Sequence, residues 1–300
     1  LIFTAFICLL LGMGLPTTAN YIVVSTLMAP VIVTLGAQNG LIVPLIAVHM
    51  FVFYFGILAD DTPPVGLAAF AASAIAHSDP IRTGIQGFTY DIRTGILPFL
   101  FIFNNELLMI GIENVWHLLV TIASAVMAML MFAAATQGFF VVRSRWWETL
   151  ALLLISFTLF RPGFWWDMVY PPNQILPPSA IYETVETMPS ESSLQMHVEG
   201  ENLEGKLISK MVVMPMGDTG PGVERLERSG LLLRQENKKM LVDTVVFDSA
   251  AEKAGIDFDW EILSLQIPVD QPPKQWMYLP ALMLLGMVVF MQRRRRAFSS

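Results

Sequence analysis

Two adjacent aspartates followed by a Thr-Pro-Pro sequence, Asp60-Asp61-Thr62-Pro63-Pro64, come directly after 59 residues that contain no Asp, Glu, Lys or Arg. A carboxylate at the centre of a membrane helix costs about 2.5–3.5 kcal/mol on insertion scales. Acids in such a setting are therefore candidates for holding an ion or a proton. In a helical frame Pro63 and Pro64 deprive the carbonyls of Ala59 and Asp60 of their usual donors, and Thr62, preceding a proline, is pushed out of the α region. Gly66 closes the stretch. A second irregular segment, Gly12-Met13-Gly14-Leu15-Pro16-Thr17-Thr18-Ala19-Asn20, lies upstream. There Pro16 releases the carbonyl of Gly12, and Gly12 and Gly14 admit dihedrals closed to other residues. Freed carbonyls, the hydroxyls of Thr17, Thr18 and Thr62, the Asn20 amide and two carboxylates are all hard oxygen donors. They suit a hard cation, whereas zinc or copper would call for thiolates or clustered imidazoles.

The elements that must position these donors are membrane helices. Apolar residues make up 54% of the 300 and charged residues 14%, against roughly 25% charged in soluble chains. The uncharged opening run exceeds the ~20 residues that one membrane helix needs. One cysteine, Cys8, leaves no disulfide framework and no Cys-based zinc site. The net charge of −7 is unevenly spread: residues 167–275 hold 18 acids and 9 bases, while 293–296 are four arginines. An acidic soluble domain between membrane segments follows, and its sign argues against nucleic acid as a partner.

Arginine placement predicts the topology. Arg293–Arg296 after the uncharged span Trp276–Gln292 read as a cytoplasmic stop, which puts the acidic domain across the membrane. Trp146–Trp166 reads as the preceding span, Arg143 and Arg145 as a cytoplasmic loop, Asn114–Val142 as another span, and Thr94–Phe103 as a span starting inside. In a bacterium the acidic domain is then periplasmic and the C-terminus cytoplasmic, in a multi-pass protein of the inner membrane. Residues 41–78 read as a broken helix, Leu41–Leu58 and Val65–His77 around an unwound centre. Residues 1–36 fit a re-entrant hairpin, the end of a span plus a hairpin, or two spans. The start at Leu1 in mid-hydrophobic segment suggests the C-terminal piece of a longer polypeptide.

Discontinuous helices that face one another near mid-membrane are the architecture of secondary-transporter sites. The sequence Gly12-Met-Gly-Leu-Pro-Thr-Thr-Ala-Asn-Tyr-Ile-Val23, followed by Asp60-Asp-Thr-Pro-Pro-Val-Gly-Leu-Ala68, resembles the large permease subunit of tripartite ATP-independent periplasmic (TRAP) transporters. It is most similar to fused permeases that work with TAXI-type binding proteins. Ser78-Asp-Pro-Ile-Arg-Thr-Gly-Ile-Gln and Leu97-Pro-Phe-Leu-Phe-Ile-Phe-Asn104 belong to the same resemblance, which covers about residues 1–140. It implies an α-helical polytopic fold: the second inverted repeat of an elevator-type transporter, with Gly12–Asn20 as the re-entrant hairpin tip and Asp60–Gly66 as the unwound helix. It also implies sodium-driven import of a carboxylate-bearing solute, a TAXI-type periplasmic solute-binding protein, and a small membrane subunit fused upstream or separate. No organic cofactor is implied, and the doubled Asp60-Asp61 leaves proton coupling open.

The expected organisation is a second transport repeat over 1–142, an additional span over 143–166, the acidic domain over 167–275, and a final span with its arginine tail over 276–300. Within the acidic domain, short alternating runs around Gly230-Leu-Leu-Leu233 and Met240–Phe247 predict strands, and Asp248-Ser-Ala-Ala-Glu-Lys-Ala-Gly255 predicts a short capped helix. Over about 205–268 this order is similar to the later half of PDZ domains, small α+β modules that bind peptide ends at a sheet edge. Two other functions are weighed against transport. An intramembrane protease would need a His-Glu-x-x-His or facing aspartates, and the former is absent. A non-catalytic membrane anchor for the acidic domain would let both breaks tolerate substitution.

Overall fold

The computed structural model describes residues 1–38, 41, 43–61, 66–112, 114–201, 205, 207–236, 239–269 and 271–299, the side chains of 37, 38, 60, 61, 92, 298 and 299 apart. The chain divides into a helical unit, Leu1–Val33, Val43–Tyr170 and Pro272–Ser300, and a second unit, Thr34–Ile42 with Pro171–Gln271.

In the helical unit, α1 (Ile2–Gly12), α2 (Thr17–Gln38), α3 (Leu45–Asp61), α4 (Leu67–Ala76) and α5 (Pro80–Phe103) come first. Thr17–Gly36 is long and apolar enough to cross a membrane, and the irregular segment joins it to the end of α1 at Gly12. α3 packs between α1 and α5, and aromatic edges lock it: Phe51 and Phe55 meet Phe99 of α5 at centroid distances of 5.3 and 5.4 Å. The start of α5 follows from its sequence, since the Asp79 side chain accepts the Arg82 N–H and Pro80 takes the first helical position. This 24-residue helix is far longer than the expected Thr94–Phe103.

The remaining helices are α6 (Val115–Gln137), α7 (Trp146–Phe160), α8 (Pro162–Val169) and, after the second unit, α12 (Tyr278–Ser299). α6 and α12 are long and apolar enough to span, α12 with the short turn before it. Over Trp146–Trp166, read above as one span, the helix is broken: α7 ends at Phe160, and α8 departs at 78°. Pro162 is the cause, because it lacks an N–H and forces Arg161 out of helical geometry (φ −137°, ψ 68°). Small residues let α6 and α7 approach, and Ser156 donates to the Ala128 carbonyl at 2.8 Å. Both ends of α12 are fastened by a carboxylate. Glu106 meets Lys274 at 2.8 Å and His117 at 3.4 Å; Glu148 accepts from Gln292 at 2.9 Å and Arg295 at 2.8 Å.

The second unit is α+β, as expected. Its strands are β1 (Asn173–Leu176), β2 (Ser193–Glu201), β3 (Leu207–Pro215), β4 (Leu231–Glu236), β5 (Lys239–Val245) and β6 (Glu261–Pro268), with α9 (Ile181–Thr187), α10 (Gly222–Arg228) and α11 (Ala250–Lys253) between them. All pairings are antiparallel, in the order β3-β2-β6-β5-β4, and β1 also pairs with β6. β2 alternates strictly, burying Leu194, Met196 and Val198. At Gly200 a Cβ would overlap the Trp260 ring. Because β2 lies between β3 and β6, the segment 205–268 is not a separable module, and the core of this unit starts well before residue 205.

Candidate functional site

The first irregular segment packs on the C-terminal part of α3, at Gly56 and Ala59, just before the aspartate pair. Gly12, the last residue of α1, is buried against α3, and a Cβ there would stand 2.7 Å from the Ala59 Cβ, 2.6 Å from the Asn20 Nδ2 and 3.0 Å from the Gly56 carbonyl. Such distances leave room for hydrogen alone, so glycine is required by close approach. Asn20, in the first turn of α2, donates its backbone N–H to Pro16 at 2.9 Å and its side-chain amide to the Gly56 carbonyl at 2.7 Å. It is fully buried, and its Oδ1 has no hydrogen-bond partner among the described residues. A buried acceptor left in that state costs about 1–3 kcal/mol.

The helix termini set the local field. α1 ends at Gly12 and α3 ends two residues after Ala59, so two carbonyl-rich C-terminal ends, each with partial negative charge, converge beside Asn20. α2 begins at the same place and presents the opposite, positive end.

The other expected site residues fall in three groups. Gly14 (φ +82°), Pro16, Thr17 and Thr18 are exposed on the turn and the first turn of α2, apart from the buried Gly12–Asn20–Ala59 contact. Gly66 is buried with φ +42° and starts α4, its carbonyl accepting from the Phe70 N–H at 2.9 Å. Thr62, Pro63 and Pro64 lie outside the described residues, as do the side chains of Asp60 and Asp61. The unwound centre expected from Ala59 onward is corrected, because α3 continues as helix through Ala59, Asp60 and Asp61. A helix loses its bonds to prolines only from the acceptor side, so residues before Pro63 can keep helical dihedrals while their carbonyls go unclaimed.

Gly56 was not anticipated. Its signal is a lone glycine in the bulky run Phe51-Val-Phe-Tyr-Phe-Gly-Ile-Leu58, where a helical interior pays ~1 kcal/mol relative to alanine and so calls for a packing reason. One turn along α2, the Tyr21 hydroxyl pairs with the His49 Nδ1 at 2.9 Å, so His49 holds α2 to α3.

In the second unit, a 400 Å3 groove is lined by Lys210, Trp260, Glu252 and Asp257 among others. Lys210 lies over the Trp260 ring, 4.8 Å from its centroid, and donates to the Gly255 carbonyl at 2.8 Å. Burial holds its ammonium below the ordinary lysine range, with Asp257 opposing the shift. Arg225 is buried and aims its guanidinium at four carbonyls, those of Val185, Met188, Pro189 and Gly217. Three of these belong to the end of α9 and the turn after it, a site where cations are favoured.

Comparison with protein families divides the chain nearly where the helix sets divide. The model for the DctM component of the tripartite ATP-independent periplasmic transporter matches residues 1–116. A domain of unknown function, DUF3394, matches residues 118–297, from early α6 to the end of α12. No curated protein and no solved structure matches the chain.

Proposed function

Since the chain belongs to the family that carries this domain of unknown function, and its first 116 residues form a DctM domain, we propose that it works as the permease of a sodium-driven TRAP importer of the TAXI type. DctM is the large permease of a transporter family and not an enzyme, so the protease reading falls. In TRAP systems this component works with a periplasmic binding protein and a small membrane subunit. The chain is accordingly an integral membrane protein.

The observation that carries the proposal is the Asn20 Oδ1, fully buried and without a partner among the described residues, beside the C-terminal ends of two helices. A hard cation there would satisfy that oxygen and the carbonyls of Ala59 and Asp60, which Pro63 and Pro64 leave without their usual donors. Sodium is our choice because the donors are uncharged oxygens plus the Asp60-Asp61 pair, with protons as the competitor at that pair. The start of α2 would face the carboxylate of the solute, with Thr17 and Thr18 on its exposed side. In this reading Gly12–Asn20 and Ala59–Gly66 form one cation and substrate site in the second repeat of an elevator in the bacterial inner membrane. The acidic unit is read as periplasmic. The order β4–β5–α11–β6 and the edge position of β4 support a PDZ-like docking role for it.

The test is uptake into proteoliposomes driven by an imposed sodium gradient, with the solute supplied by a TAXI-type binding protein. Asn20→Ala should reduce sodium-driven uptake at least tenfold. Full uptake by that variant, with unchanged sodium dependence, would refute the site.

A further inference from the structure

Among the four arginines near the end of α12, Arg295 does not trail into solvent. α12 lays Arg295 back on the start of α7, where one guanidinium nitrogen donates both to the Glu148 carboxylate at 2.8 Å and to the Arg143 carbonyl at 2.9 Å. Gln292, fully buried, accepts the Val141 N–H at 3.0 Å and donates to Glu148. Glu148 also accepts the Arg145 N–H at 2.8 Å. One carboxylate thus organises this end, and Arg295 balances its charge. Five further arginines surround it: 143, 145, 293, 294 and 296, all exposed.

Beside this clamp lies a crevice of about 320 Å3, lined by Arg145, Trp147, Glu148, Met291, Arg294 and Arg295. Its lining is mixed: Arg145, Arg294 and Arg295 supply positive charge, and Trp147 and Met291 supply apolar surface. Along the helices away from the charged end the surface is apolar, with Phe290 68% exposed and Leu150 55% exposed. A ligand that satisfies both parts carries a negative head group next to a hydrocarbon tail. A free anion would use only the arginines.

We propose that this crevice between α7 and α12 binds an anionic phospholipid, its phosphodiester held by Arg145 and Arg294 and its acyl chain lying along Met291 and Phe290. Basic pockets between membrane helices recognise phosphate head groups in this way, and arginine's planar fork suits phosphate better than lysine does. The Glu148 Oε2 accepts from Arg145 N–H, Gln292 and Arg295, and the Arg295 guanidinium offsets its charge toward an anion. The lipid would brace the α7–α12 contact from outside, adding to the clamp that holds it from within. This inference stands on residues 143–148 and 290–296 and is independent of the transport site.

The test is thermal unfolding of the full chain in detergent with added phosphatidylglycerol, phosphatidylcholine or inorganic phosphate at matched ionic strength. The proposal expects saturable stabilisation by phosphatidylglycerol alone. It expects Arg145→Gln with Arg294→Gln to weaken that response at least about tenfold more than Arg293→Gln with Arg296→Gln, which removes the same charge outside the crevice. Equal losses in the two double variants would reduce the effect to bulk electrostatics and overturn the crevice. An equal response to phosphate would make it a free-anion site, and an equal response to phosphatidylcholine would leave only the tail. Should the crevice variant fail to fold, native mass spectrometry of the unaltered chain decides. Retained phosphatidylglycerol in preference to phosphatidylcholine supports the proposal, and no preference overturns it.

Discussion

Arg225 and Asn20 are both buried side chains that reach backbone carbonyls, one in each unit, and they finish the task differently. Arg225 gives four carbonyls a guanidinium that is covalently part of the chain, its Nε alone making no hydrogen bond among the described residues. Asn20 gives one carbonyl an amide and leaves its own oxygen without a partner among the described residues, beside two helix ends of negative character. Where the fold needs a permanent cation, the sequence supplies one. Where it leaves oxygens converging without one, a cation that comes and goes would complete the set. The contrast separates a structural use of buried polarity from a working one.

The largest expected effect tests the structural side. Arg225→Met should strip the α9 terminus of its donors and destabilise the acidic unit by about 4 kcal/mol, since each buried acceptor left unsatisfied costs roughly 1–3 kcal/mol. Limited proteolysis of the full chain would read this as rapid cleavage within 171–271. Survival of the unit would show that water replaces the guanidinium at little cost. Gly12→Ala comes next. Its methyl meets Asn20 and Ala59 below contact distance, and overpacking of this kind costs about 1–3 kcal/mol. Its melting temperature should fall and sodium-driven uptake should disappear, whereas Gly14→Ala, in open space, should keep the packing and pay only for its positive φ.

Asn20→Leu sharpens the comparison because it should be mild. The Gly56 carbonyl remains inside α3, and the lone oxygen disappears, so stability without sodium should change by no more than about 1 kcal/mol. A collapse like that of Arg225→Met would make Asn20 another structural bolt.

The smallest effect is that of Lys239→Gln, which removes an exposed pair with Glu261 at 2.6 Å. The hydrogen bond to Glu261 raises the Lys239 pKa above its ordinary 10.5. While Glu261 is ionised the pair therefore stabilises below that, and its contribution fades as pH rises through the raised value. Unfolding curves of variant and parent should converge on the alkaline side. A constant gap would mean that the charge is not what matters.

Much of this was legible in the residues, and what was not has a physical reason. The oxygen-rich breaks showed because proline and glycine interrupt apolar runs at fixed places, and arginine distribution marked the ends of the final helices. The reach of α3 to Asp61 did not show, since proline removes the acceptor's partner three or four residues upstream without dictating where helical dihedrals stop. The bend after Phe160 was hidden behind hydropathy, which cannot see that Pro162 breaks an otherwise apolar stretch. Arg225 reads as one more charge in a hydrophilic helix, Gly222–Arg228, and only the packing of α9 on α10 reveals it as buried. Gly56 was visible as an oddity, but its partner thirty-six residues away was not.

The most direct test of the central claim is the unfolding temperature of the full chain in detergent, in sodium and in choline at equal ionic strength, for the unaltered protein and for Asn20→Leu. Sodium at about a hundred times its Kd should stabilise the unaltered protein by about 2.7 kcal/mol, and Asn20→Leu should lose that response while keeping its stability in choline. A sodium response that survives intact in the variant, or that is missing from the unaltered protein, would contradict the account.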